Sequence, residues 1–548
     1  MFAAAYVVAS GVSLLVLCLP LIMMELAVGQ LTGRAPVQAL FNICPVFKGV
    51  GAAHIAYCAA LVSIMGIQLA YVLLHIFYLF WNILGELPWL HCEELRGSGF
   101  GDCIPANASR PYLSSANFSQ SSTAYFLESL QEPSGNIEEP GMLVWQPIAA
   151  LGVVWLLVFC AIFAGVRWLG KVCYVTFTLP VCILLALLVK ALTIYREHNI
   201  IINILEPDWN HLLELDTWMA AFSKSLYAIG AGFGAYITLG SYNKRNNNLV
   251  GDSFLILVIH ALLVGTQLMT FIMLGGAVGE QESDGRLQPP RNYDIIWRLL
   301  AACGGFGIPK LWSALLLFMV AFMVINYLYV MSLSFLATLE DAIGEKASRF
   351  GPRFGLALLV AVLGFLLGLP HCLQSGKWAL LLMEFFLDQI TLWVIIVFEI
   401  IAVAWFYCAH ILGKDIKQMV SGALNWVTGF FFSYLLYILP AAPIYILVVK
   451  IGIYDFETLP AAISGYHYEE ITGWAIAVLP LLPIPILAIY ILIRTCIRGP
   501  GLTACQRLKY AVISPLRYEI VKPQPAPRYT ATAPGYVLLP QNQWHEMT

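Results

Sequence analysis

The apolar stretch 217–240 is long enough to cross a bilayer, yet Gly230, Gly232 and Gly234 fall within its middle. Each glycine costs a helix about 1 kcal/mol relative to alanine, so the helix is expected to open there. Backbone can open at membrane depth only where it is buried in protein or lines a cavity. Interrupted helices of this kind hold solute and ions at the midplane of secondary transporters. Close packing of a glycine-rich helix against a neighbour is the other reading of the cluster. The polar end 241–248, with Lys244 and Arg245, closes the segment on a basic, water-facing loop.

Composition places the chain in a membrane. Hydrophobic residues make up 60% of the chain and charged residues 11%, far below the charge of soluble domains. A net charge of -3 argues against a nucleic-acid partner. Apolar spans are expected at 6–30, 50–85, 143–166, 169–194, 217–240, 252–277, 311–339, 354–370, 379–412, 422–450 and 471–496. The fold class is then an all-α polytopic membrane protein with about eleven transmembrane helices in one bundle. The bundle is expected over 1–499 and a cytoplasmic tail, rich in Pro beyond Pro523, over 500–548.

Orientation follows from the basic residues of alternate short loops. Arg34 and Lys48, Arg167 and Lys171, Lys244 and Arg245, Lys346 to Arg353, Lys414 and Lys417, and the segment after Arg494 collect on one side. That side and the C-terminus are expected to be cytoplasmic, and an odd helix count puts the N-terminus outside. The loop 86–142 falls on the other side. It contains Cys92, Cys103 and the glycosylation sequons at Asn107 and Asn117. An extracellular, glycosylated loop with a Cys92–Cys103 disulfide is expected, at the plasma membrane.

The order of motifs resembles the neurotransmitter:sodium symporters, sodium- and usually chloride-dependent carriers of amino acids, amines and osmolytes. Leu19-Pro-Leu-Ile-Met-Met-Glu-Leu-Ala-Val-Gly-Gln30 is similar to the end of the family's second helix. Glu86-Leu-Pro-Trp-Leu-His-Cys92 is similar to the opening of the large outer loop, and Ser121 to Phe126 to its close. Gly165 to Tyr174 is similar to the fourth-to-fifth loop, Gly230 to Gly234 with Ser241 to Lys244 to the sixth helix, and Phe398 to Ile401 with Asp415 to Met419 to the tenth. The resemblance implies an inverted-repeat transporter bundle. Met1 aligns with the start of the family's second helix, so the spans correspond to helices 2–12, without the broken first helix that carries ion ligands and half the pocket.

What the resemblance implies for ions departs from the family pattern. Lys224 and Ala228 stand where the family has chloride and sodium ligands in the sixth helix, and His260 and Val264 where it has an Asn and a Ser in the seventh. Ser10 replaces a chloride-contacting Tyr, and Met323, Asn326 and Tyr327 stand at second-sodium positions. Sodium prefers oxygen ligands, which methyl, thioether and imidazole groups do not supply. Lys224 and Ala228 share a helix face, expected to look toward His260. Sodium and chloride are therefore doubtful as coupling ions, and no other cofactor is expected.

The same comparison offers Gln68, Tyr227, Gly230, Gly232 and Phe233 as substrate-pocket candidates and Glu384 as the outer-gate acid. Glu25 and Glu399 are buried acids expected to be satisfied by backbone freed at broken helices or by neighbouring polar groups. No nucleophilic triad, metal-ligand spacing or phosphate loop supports an enzyme. A sodium-driven carrier of a small amino acid or amine is the leading function. A transport-deficient relative serving as a membrane partner, or an inactive product, is the alternative; an oligomer is compatible with both.

Overall fold

Where water is absent, a chain of apolar side chains must satisfy its backbone polar groups internally, and the helix does so locally. The computed structural model describes residues 3–90, 122–194, 209–275, 294–344, 350–499 and 503–517, and among these the structure is almost wholly helical. In chain order the main helices are α1 (Ala5–Thr32), α2 (Pro45–Trp81), α3 (Trp145–Ile162) and α4 (Val166–Thr193). Two shorter helices follow, α5 (Leu215–Ile229) and α6 (Ala235–Ser241). Next come α7 (Leu249–Phe271), α8 (Pro309–Ile343), α9 (Gly351–Cys372) and α10 (Gly376–Met419). The chain continues through α11 (Ala423–Leu435), α12 (Ala441–Gly452), α13 (Tyr468–Leu481), α14 (Pro483–Arg498) and α15 (Ala504–Val512).

Eight of these helices are long and apolar enough to cross a membrane, and α13 with α14, bent by 40°, make a ninth candidate. Three expected spans are interrupted, the first at the glycines where it was expected to open. The span 217–240 divides into α5 and α6 at the glycines. The span 422–450 divides into α11 and α12 at a turn ending on Pro440, and 471–496 bends between Pro480 and Pro483. Proline lacks the N–H that continues a helix and clashes with the preceding turn, which accounts for the last two.

Small residues set the closest approach in the bundle. A Cβ on Gly29 of α1 would lie 2.1 Å from the Ile237 carbonyl oxygen of α6, and one on Gly240 would lie 2.6 Å from that of Leu26. Backbone meets backbone there, as small residues permit between membrane helices. The first half of α1 packs against α5 as α6 packs against the second half, so α1 runs along both halves of the interrupted helix.

The charged loops sort to two ends. At one end Arg34 pairs with Asp341 at 3.2 Å, Gln30 Nε2 donates to the carbonyls of Arg245 and Asn247 at 2.9 and 3.0 Å, and Tyr407 donates to Asp415 at 2.6 Å. Partial burial lowers the Arg245 guanidinium from its ordinary value, opposed by Asp415. At the other end Lys377 pairs with Glu128 at 2.8 Å and Lys310 donates to the Ile83 carbonyl at 2.8 Å. The segment after 500 is not all tail. Thr503 and Gln506 close a capping box on α15, which fixes its start. Ser514 then donates to the Asn42 carbonyl at 2.6 Å, on the face that holds Arg34. Cys92, Cys103, Asn107 and Asn117 lie outside the described residues.

The Gly29–Ile237 approach generates a stability prediction. Gly29→Ala should destabilise the detergent-solubilised protein by about 1–3 kcal/mol through overpacking. Gly265→Ala, where a Cβ meets nothing within 4 Å, should be neutral or stabilising. Thermal denaturation followed by size exclusion measures both; equal melting for the two variants would refute the packing account.

Candidate functional site

The break opens with the sharp conformational change that only glycine takes without strain. Gly230, Gly232 and Gly234 have φ of 73°, 83° and 72°, in the left-handed region. Space also demands glycine. A Cβ on Gly232 would lie 2.3 Å from Ile396 Cγ1, and one on Gly234 would lie 2.9 Å from His54 Cγ.

Side chains replace the helical hydrogen bonds lost at the break. The Gly232 N–H donates to Glu25 Oε1 at 2.5 Å, and Tyr236 Oη donates to the Ile229 carbonyl at 2.9 Å. Cys58 Sγ lies 3.4 Å from the Phe233 carbonyl. Glu25 thus meets the expectation that a buried acid caps freed backbone. Glu399 meets the other expected kind of partner, a neighbouring polar group: His54 Nε2 lies 3.3 Å from Glu399 Oε2.

Around the break sits an aromatic cluster centred on Phe233, which is fully buried. Tyr57, Tyr227 and Tyr327 meet its ring edge-on at centroid distances of 5.5, 5.7 and 6.5 Å. The hydroxyls of Tyr57 and Tyr327 are buried with no partner among the described residues. Beside this cluster runs a charged face. Gln68 Nε2 donates to Glu384 Oε1 at 2.9 Å, and Lys450 Nζ bonds Asp388 Oδ2 at 2.6 Å while sitting 5.5 Å from the Trp393 ring centroid. Asp388 is carried on a π-helical turn, Leu387–Thr391, within α10; such turns redirect side chains at functional sites. Tyr227 lies within electrostatic reach of both acids.

Lys224 does not turn to His260 as expected. It is exposed and within electrostatic reach of Glu384 and Lys450, whereas His260 is on α7, which packs against α4 and α1. Glu384 therefore has a cation within electrostatic reach in this chain. Ser10 is half-buried, while Ala228 and Val264 are exposed.

Two of the positions aligned with the second sodium site, Asn326 and Met323, are committed to other contacts. Asn326 Nδ2 donates to the carbonyls of Thr176 and Phe322, both at 2.8 Å, and its Oδ1 lies 2.6 Å from Thr176 Oγ1. Met323 Sδ accepts from Gln267 Nε2 at 3.3 Å. Asn326 is thus a rivet between α8 and α4. Among the described residues no group of three or more His, Cys, Asp and Glu side chains is arranged to hold a metal ion.

Sequence reasoning passed over His54, Tyr57, Asp388 and Lys450. The available signal was a charge or imidazole inside an apolar run, which marks a functional candidate by default.

A family profile described as the sodium:neurotransmitter symporter family matches residues 3–495. The sodium- and chloride-dependent GABA transporter ine of Drosophila melanogaster is 30% identical over 420 residues, 75% of this chain but only 43% of the relative's own length. The sodium- and chloride-dependent glycine transporter 1 of Xenopus laevis is 29% identical over 531 residues, 91% of this chain and 80% of the relative. A sodium-dependent acetylcholine transporter of Caenorhabditis elegans is 27% identical over 517 residues, 89% and 71% of the two chains.

The Asn326 contacts predict that Asn326→Ala loses about 1–3 kcal/mol of stability, the cost of stranded buried partners. The loss should be the same in sodium chloride and in choline chloride. A loss confined to sodium would instead make Asn326 an ion ligand.

Proposed function

This chain belongs to the sodium:neurotransmitter symporter family, and on that premise we propose that it is a secondary active transporter of a small amino acid or amine. The interrupted helix at Gly230–Gly234 is the observation that carries this reading. Its backbone is held open at membrane depth by Glu25, Tyr236 and Cys58, as a midplane solute site requires. Phe233, Tyr227 and Gln68 line the pocket beside the freed backbone of Gly230 and Gly232, and Glu384 is the gate acid with Lys224 as its cation. The solutes named for the relatives, GABA, glycine and acetylcholine, fit a pocket of this aromatic and polar character.

Coupling to sodium and chloride is weak in this reading. Lys224, Ala228, His260, Val264, Met323 and Tyr327 supply few of the oxygen ligands that sodium prefers. The protein sits in the plasma membrane with the Arg34–Asp341 end in the cytoplasm, and the loop bearing Asn107 and Asn117 outside. The clustering of basic loops with the chain after 503 supports that orientation. The commitment of Asn326 and Met323 to interhelical contacts favours a second reading, a transport-deficient relative that acts through membrane partners.

Uptake of labelled GABA, glycine and acetylcholine in sodium chloride, sodium gluconate and choline chloride separates these readings. The chain should transport with little chloride dependence and shallow sodium dependence. A variant with Lys224→Gln, Ala228→Ser, His260→Asn, Asn326→Asp and Tyr327→Ser should gain a steeper dependence on both ions, because it restores oxygen ligands. Steep dependence on both ions in the unaltered chain would refute weak coupling. Uptake by neither protein would favour the second reading.

A further inference from the structure

Glu25, His54 and Glu399 are all completely buried and meet where the interrupted helix presents Gly232. His54 lies 3.3 Å from Glu399, Glu25 is within electrostatic reach of both, and Glu25 also accepts the Gly232 N–H. We infer that this triad is a proton-binding site, and that taking up a proton there is coupled to closure of the break between α5 and α6.

Two carboxylates and a neutral imidazole would place two negative charges at membrane depth, against burial and their mutual repulsion. Two added protons bring the cluster to neutrality, either as two carboxylic acids beside neutral His54 or as an imidazolium between one acid and one carboxylate. The titratable groups that face the triad are Cys58 on α2, Tyr236 on α6 and, beside Tyr236, Cys18 on α1. None of these is a cation at neutral pH, so none replaces the protons. Glu399 Oε1 has no partner among the described residues, which leaves room for a proton on that carboxyl.

Geometry then ties the protons to the helix. Glu25 holds the break through Gly232, and the His54 ring packs so tightly on Gly234 that a Cβ there would lie 2.9 Å from its Cγ. Movement of the break must change the surroundings of the triad. Opening it admits water, which solvates carboxylates and lowers their proton affinity; closing it expels water and raises that affinity. By reciprocity, protonation favours the closed break and deprotonation the open one. A carrier with such a site takes up and releases a proton within its cycle, whatever its sodium sites do.

Infrared spectroscopy of the full chain in lipid vesicles tests the site with the proton itself as the ligand, so it needs neither solute nor sodium. The C=O stretch of a protonated carboxylic acid should be present at neutral pH and disappear as pH rises. Glu25→Gln and Glu399→Gln should each remove part of it. His54→Gln should move the midpoint by at least about one pH unit, a tenfold change in proton affinity, while His75→Gln, another buried histidine, should not. Amide exchange across residues 225–241, corrected for intrinsic pH dependence, should accelerate at the same midpoint. Should His54→Gln fail to fold, the wild-type band and exchange midpoint still decide. Absence of a protonated-acid band at neutral pH, indifference of the midpoint to His54→Gln, or exchange that ignores the midpoint would overturn the inference.

Discussion

The hydrogen bond from the Gly232 N–H to Glu25 is the contact on which the rest of the site depends. An open backbone at membrane depth has polar groups with neither water nor helix to receive them. Glu25 receives one, Tyr236 satisfies the Ile229 carbonyl, and Cys58 lies against that of Phe233. These residues come from α1, α6 and α2, so the break is stabilised by the bundle around it. The Gly29 and Gly240 approach brings α1 near enough for Glu25 to reach, which connects close packing directly to the site.

From that contact the surroundings separate into two regions with different chemistry. On one side the aromatic cluster lies beside the Gln68–Glu384 and Lys450–Asp388 pairs. On the other, His54 and Glu399 extend the buried acid into a titratable cluster. Of the aligned ion positions, Asn326 and Met323 belong to neither region. Asn326 and Met323 bond to Thr176, Phe322 and Gln267, and the helices around them are held by side-chain contacts of their own.

The helical class and the break were legible because both depend on local properties: apolar runs of bilayer length, and three glycines within one of them. Glu25 as a cap was legible for a related reason, since a buried acid must find donors. The His54 partnership was not, because Glu399 is 345 residues away; an imidazole inside an apolar run marks a candidate without naming its partner. The cation within reach of Glu384 was missed likewise, since Lys224 had been oriented by helix face alone, and a face says nothing of which distant acid folds near it. Interruptions at Pro440 and Pro480 carried a visible signal, but mean hydropathy over the window concealed it. The order of 503–517 depends on the Asn42 and Ser514 contact, a tertiary interaction that Pro-rich composition further on obscured.

The central claim is that Glu25 holds the break, and site-resolved hydrogen exchange tests it most directly. In the wild-type protein the amides of residues 230–234 should exchange slowly although they lie outside regular helix. Glu25→Leu removes the acceptor and should accelerate exchange at Gly232 by tenfold or more, the cost of a stranded buried N–H being about 1–3 kcal/mol. Peptides from α8 should be unaffected. Unchanged exchange at Gly232 in Glu25→Leu would contradict the account, because the break would then be held by something other than this carboxylate.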